Sequence, residues 1–297
     1  MIRNFIELME NTGKRGGVTV CVAAAQDEEV LRALKEAHDI GIASAILVGD
    51  EDLIRPLAEK AGLPPDTPIV HEPDPFGAAA QAVKLVKTGE ASVLMKGLIN
   101  SGDFLKAVVD REAGLRNGSI LNHVAAFEIP GERKLVFHTD GGMNIAPTLE
   151  EKRQILANTI KALNRMGIDR PNVAVLAANE QVNPKMPVTV DARALAEMAR
   201  DGRIPPCVIE GPIAMDVAAS RQAAGHKGIN SLVSGDVDIF LMPSIEAGNF
   251  VGKTLVYYAG AKIAGVILGA TNPVVMTSRA DDAEAKLNSI ALACLVA

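Results

Sequence analysis

The chain has no tryptophan, two tyrosines and three cysteines in 297 residues. With a formal net charge of −6, it offers neither the basic footprint nor the stacking surface that nucleic-acid binding draws on. Cys21, Cys207 and Cys294 stand far apart without C-x-x-C spacing. They suggest neither a disulfide framework nor a zinc site, and read as small buried apolar residues. The histidines show no H-E-x-x-H or other ligand spacing, so no metal is indicated. No apolar run reaches the roughly 18 to 20 residues of a membrane span, and acids interrupt the N-terminus MIRNFIELME where a secretory leader is apolar. The expectation is a cytoplasmic protein with neither a nucleic-acid nor a membrane partner.

What is present suits a large core. At 48% hydrophobic and 22% charged, the chain can bury a full interior and divide into about two domains. VTVCVAAA (18–25), a helical DEEVLRALKEAHDIG (27–41) and SAILVGD (44–50) set a βαβ rhythm. It continues with a helix from Pro75, a strand ASVLMKG ending at Gly97 and a helix from Ser101. Nearly continuous apolar strands predict a parallel sheet covered on both faces. A second region begins at KLVFHTDGG (134–142), with a domain boundary placed near residue 137. After Pro147, Thr148 and Glu151 form a capping pattern that opens a long helix ending at Gly167. Further strands are predicted at NVAVLAA, CVIEGP, VDIFLMP, AGVILGA and PVVMTS (273–278), the last leading into a helix over 280–295. The fold class is α/β throughout.

Three segments have the residues for anion chemistry. TSRADDAE (277–284) joins a strand to a helix whose free N–H groups and dipole favour an anion, and Arg279 adds a two-pronged donor for phosphate. Taken alone, the same residues read more readily as a plain capping box, Ser278 with Asp281. In MKGLINSGDFLK (95–106), Lys96, Asn100 and Lys106 follow a strand end, where ligands of open α/β sheets gather; Lys96 also fits a solvated strand-end lysine. In HTDGGMNIAPT, Asp140, Gly141 and Gly142 form a tight turn and Asn144 can reach a ligand. AGNFVGKT (247–254) fails as a P-loop, because Ala247 stands where glycine is required, and it reads as a helix start.

These segments, with EKRQIL, VAVLAANEQVNPKMPVTVDA, IEGPIAMDVA, SGDVDIFLMPSIEAGNFVGKTLVYYAGAKIAGVILGA and PVVMTSRAD, resemble the phosphate acetyl/butyryltransferase family over nearly the whole chain, the butyryl branch most closely. The resemblance implies two three-layer αβα domains of the isocitrate/isopropylmalate dehydrogenase-like fold with an interdomain cleft. It places residues 1–137 with 271–297 in one domain and 138–270 in the other. It also implies a homodimer or higher homo-oligomer, acyl-CoA and phosphate as substrates, and no tightly bound cofactor, coenzyme A serving as substrate. By it, Ser278 and Arg279 match the family's Ser-Arg pair against the phosphate and thiol. Lys106 stands where acetyl members tend to carry arginine, and Asn144 and Asn249 fall at shared asparagine positions. Two departures stand out. Acetyl members place an aspartate seven residues after the serine, where this chain has Ala285; the base is then Glu284, one position short, or Asp281. Acetyl members also tend to carry a cysteine in the segment matching HTDGG, so Gly141 and Gly142 are expected to enlarge the acyl pocket.

The function so implied is transfer of a short acyl group, butyryl favoured, between coenzyme A and phosphate. A phosphate acetyltransferase is the nearest alternative. A nicotinamide-dependent dehydrogenase of the same fold is disfavoured by the lack of a D-x-x-x-D cluster at a strand end, and a non-catalytic sensor of coenzyme A or acyl phosphate stays open because the expected base is displaced.

Overall fold

The computed structural model describes residues 2–278 and 281–297. They form two compact units, Ile2–Ser119 with Ile263–Ala297, and Ile120–Lys262. The cuts thus fall at 119/120 and 262/263 rather than at 137/138 and 270/271. The first unit begins with α1 (Phe5–Arg15), β1 (Val18–Ala23), α2 (Glu28–Asp39), β2 (Ala43–Gly49), α3 (Glu51–Ala61), β3 (Ile69–His71), α4 (Pro75–Lys87), β4 (Val93–Lys96) and α5 (Ser101–Val108). Asp27, Asp50 and Asp74 each stand one residue ahead of a helix and accept backbone N–H groups of its first turn, so these strand-to-helix turns are closed by the caps the sequence supplies.

The second unit contains β5 (Asn122–Glu128), β6 (Val136–Thr139), α6 (Leu149–Arg165), β7 (Asn172–Leu176), α7 (Pro187–Arg200), β8 (Val208–Ile213), α8 (Met215–Ala219), α9 (Arg221–His226), β9 (Ile239–Leu241) and α10 (Ile245–Ala259). Its strands run in the order β5-β6-β9-β7-β8. β5 pairs antiparallel with β6, and the remaining pairs are parallel. This hairpin explains the earlier cut: β5, which the hydropathy pattern does not mark, is tied to β6 and so belongs to the second unit. The predicted capping box is present at α6, where the Glu151 carboxylate accepts from the Thr148 N–H at 2.7 Å and the Glu151 N–H donates to Thr148 Oγ1 at 3.3 Å.

The chain then supplies β10 (Lys262–Leu268), β11 (Val274–Val275) and α11 (Ala283–Val296). In the first unit the order is β3-β2-β1-β4-β11-β10. Only β10 with β11 is antiparallel among these pairs, so the sheets are mixed rather than parallel throughout. Strand order reverses between β1 and β4, which makes the carboxyl ends of those strands a topological switch point, the usual ligand position in open α/β sheets. α11 is buried on all sides from Lys286 to Val296, and its long apolar run suits that central position. α1 is tied to it by Thr12 Oγ1 donating to the Ala291 carbonyl and Arg15 Nη1 to that of Leu295.

Candidate active site

In the first unit the predicted contacts lie along one sheet edge. β4 ends at Lys96, whose side chain is buried (6% exposed) and donates to the carbonyls of Gly97 at 3.1 Å and Ile99 at 3.0 Å. It is therefore not a solvated strand-end lysine: its charge shapes the loop that follows β4. At Gly97 a Cβ would stand 2.2 Å from the Ala24 carbonyl oxygen, so only glycine lets β4 leave the sheet against the end of β1. Asn100 is the N-cap of α5, its side-chain oxygen accepting the Gly102 N–H at 2.8 Å. Lys106 projects from α5, largely exposed, and pairs with Asp103 at 2.8 Å, a surface ion pair of little energetic weight.

β11 runs parallel to β4, with Val275 opposite Met95, so the chain beyond it leaves the sheet on the edge that holds residues 96–100. Here the predicted helix start is corrected. α11 begins at Ala283 and its cap is Asp282, which accepts the Ala285 N–H at 2.9 Å. Ser278 is not a helix cap. Its N–H donates to the Asp281 carboxylate at 2.8 Å, and the Asp281 N–H returns to the Ser278 carbonyl at 3.2 Å. Ser278, Asp281 and Asp282 compete for one cap, and the local pattern alone does not choose between them. Lys286, buried, donates to the Asp281 carbonyl and closes the turn from the helix side. Glu284 is exposed in the first turn of α11. Arg279, the predicted phosphate ligand, and Ala280 lie outside the described residues.

The second unit holds Gly141, Gly142, Asn144 and Asn249. The turn after β6 is organised by Asp140, which is 2% exposed and which the sequence marks only as a turn residue. Its Oδ1 accepts the N–H groups of Gly142 (2.7 Å) and Met143 (2.9 Å). Its Oδ2 accepts the N–H groups of His123 (3.1 Å) and Asn144 (3.3 Å), and the Asn144 Nδ2 (2.6 Å). A carboxylate thus already fills the nest of backbone N–H groups that would otherwise draw a phosphate. Asn144 Nδ2 also donates to the Leu121 carbonyl at 2.8 Å. With both amide protons engaged, Asn144 can offer a ligand only its acceptor oxygen. Beneath the turn, the buried Asn122 donates to Thr139 Oγ1 and Thr159 Oγ1 and accepts from Asn158, binding β5, β6 and α6 together.

The glycines of this turn are explained by close approach rather than by backbone conformation, since neither has a positive φ. A Cβ on Gly141 would lie 2.8 Å from the Gly248 carbonyl carbon, and one on Gly248 would lie 2.6 Å from Gly141 Cα. The turn therefore rests directly on the backbone of α10, next to the exposed Asn249. The expected acyl space at Gly141 is corrected accordingly: α10 occupies it. At Gly142 a Cβ would meet the His123 ring at 3.0 Å. The P-loop-like 247–254 segment lies within α10, as its helix-start reading requires.

Burial pushes the thiols of Cys21 and Cys294 up to about 12 and that of Cys207 to about 11, so all three stay protonated and un-nucleophilic. Among the described residues no group of His, Cys, Asp and Glu side chains is arranged to hold a metal ion. A separate cavity of about 330 Å³ opens in the second unit, lined by Val136, His138, Met215, Val237, Phe240 and Leu255. His138 lies between Phe127 and Phe240, with ring centroids 4.8 and 5.1 Å away, and burial lowers its imidazole to about 3.

A mixed α/β fold with a topological switch point at the carboxyl ends of β1 and β4 defines a broad class, and relatives narrow it. Residues 70–294 match the family model described as phosphate acetyl/butaryl transferase. The chain is similar to phosphate butyryltransferase of Clostridium acetobutylicum, 48% identical over all of this chain and 99% of that one. It is also similar to phosphate acetyltransferase of Thermotoga maritima, 40% identical over 99% of this chain and 100% of the other. Among solved structures, a branched-chain phosphotransacylase from Enterococcus faecalis V583 matches with a TM-score of 0.83 at 34% identity, covering 94% of this chain and 99% of that one. The chain belongs to the phosphate acetyl/butyryltransferase family.

Proposed function

We propose that the protein interconverts a short acyl-CoA and phosphate with the acyl phosphate and free coenzyme A, and that butyryl-CoA is favoured over acetyl-CoA. One observation carries this: 48% identity along the entire chain to a phosphate butyryltransferase, against 40% to a phosphate acetyltransferase. In the direction of acyl-CoA synthesis, the thiol loses its proton, the thiolate meets the acyl carbonyl and the phosphate departs. A thiol of pKa ~8.5 is only a few per cent ionised at neutral pH, so a carboxylate base and a nearby cation both help. Glu284 is the proposed base. Asp281 is the weaker candidate, because its carboxylate holds the Ser278 backbone. Ser278 and Arg279 are proposed to hold the phosphate, with Lys96, Asn100, Lys106, Asn144 and Asn249 as further contacts and Gly141 and Gly142 as backbone beside them. Positioning two anionic substrates accounts for most of the acceleration.

The finer architecture is proposed with it: three-layer domains of the isocitrate/isopropylmalate dehydrogenase-like fold, with substrates in an interdomain cleft and coenzyme A as substrate without a bound cofactor. The switch point between β1 and β4 supports a ligand at the carboxyl ends of those strands within the first unit. A homodimer in the cytoplasm is also proposed. α10 supports the dimer, since it is apolar yet leaves Phe250, Tyr257 and Tyr258 at 67%, 70% and 90% exposure. No helix among the described residues is long and apolar enough to cross a membrane. The test is phosphate-dependent release of coenzyme A from acetyl-, propionyl-, butyryl- and branched acyl-CoA. Release without phosphate, or none at all, refutes the reading.

A further inference from the structure

We infer that Asp140 is a positioning residue for the transfer reaction, setting both Asn144 and Asn249 through one buried carboxylate. This rests on the proposed acyl transfer and adds a residue distinct from the Ser-Arg pair and from the candidate bases. Asp140 gathers five N–H donors on two oxygens, two on Oδ1 and three on Oδ2. Hydrogen bonds to an ionised acceptor are the strong ones, and here most of them also fix the path of residues 140–144. The consequences run in two directions. The Asn144 amide is pinned between Asp140 and the Leu121 carbonyl, which leaves its Oδ1 with one orientation. Gly141 is held against Gly248, where neither residue has room for a Cβ, and that contact sets the first turns of α10 and the Asn249 that follows. The Asn122, Thr139, Thr159 and Asn158 network fixes the strand ends from below, with Thr139 Oγ1 donating to the His123 carbonyl. Asp140 is thus the junction between a rigid core and two side chains proposed to contact substrate.

Asp140→Asn keeps the shape and changes one oxygen to an amide nitrogen, which then faces N–H donors whichever way the amide turns. On folded protein, verified by circular dichroism, kcat/KM for acyl-CoA should fall about 100-fold or more, with KM raised about fivefold or more. A role confined to stability would lower the active fraction and leave KM unchanged. The decisive measurement is a double-mutant cycle with Asn144→Ala: if Asp140 acts through Asn144, the double variant is little worse than Asp140→Asn alone. Should Asp140→Asn fail to fold, Gly248→Ala tests the other arm with the carboxylate intact. It should raise KM and be non-additive with Asn249→Ala. Unchanged KM, or additive effects in whichever cycle is measured, overturns the inference while wild-type turnover still supports acyl transfer. A wild type without phosphate-dependent turnover overturns both.

Discussion

At the scale of single residues, the proposed chemistry turns on two neighbouring carboxylates with different surroundings. Asp281 holds the Ser278 N–H, whereas Glu284 stands exposed on the first turn of α11. Glu284→Gln should therefore lower kcat by about 10²-fold with the melting temperature preserved. Asp281→Asn should have the smaller kinetic effect, and equal small losses in both would place the base elsewhere. His138 gives a second expectation at this scale. Its imidazole stays neutral when folded but takes a proton below pH ~6.5 when unfolded, so its contribution is intact above that pH and is lost progressively down to about 3. Urea unfolding between about pH 6.5 and 4.5 should show a stability loss of up to ~1.4 kcal/mol per pH unit from this group, which His138→Phe removes. An unchanged slope in the variant would contradict the assignment.

At the scale of elements, the turn into α11 separates cap from site. Asp282→Ala should cost about 1 kcal/mol in urea unfolding, because it removes the acceptor of the Ala285 N–H. Ser278→Ala should leave stability within ~0.5 kcal/mol while lowering transfer. A stability loss at Ser278 with none at Asp282 would restore Ser278 as the cap. This junction also marks what the sequence can and cannot convey. The βαβ units are legible, because apolar runs such as VTVCVA and AILVG are bounded by Asp caps and glycines. β5 is not, because Asn122 and His123 open it with polar residues whose partners, Thr159 and Asp140, are distant in sequence. Lys96, Asn100 and Asn144 can be picked out as candidates, but not their engagement by neighbouring backbone. The role of Asp140 and the Gly141–Gly248 approach depend on contacts between residues far apart along the chain, which no local pattern encodes.

At the scale of the whole molecule, the exposed aromatic face of α10 should be covered by a second copy. Tyr258→Glu with Phe250→Glu should shift the protein from dimer to monomer in size-exclusion chromatography with light scattering; a wild type already monomeric at micromolar concentration would contradict this. Acyl preference is the other property at this scale. Each methylene buried in a fitted apolar pocket contributes ~0.8 kcal/mol, so the proposed preference for butyryl over acetyl, a difference of two methylenes, corresponds to roughly tenfold or a little more. The most direct test of the central claim is kcat/KM for phosphate-dependent coenzyme A release from butyryl-CoA and acetyl-CoA, measured side by side on the wild-type protein. Phosphate-dependent turnover is expected with both, with about a tenfold preference for butyryl-CoA; absence of phosphate-dependent turnover with either would contradict the proposed acyl transfer.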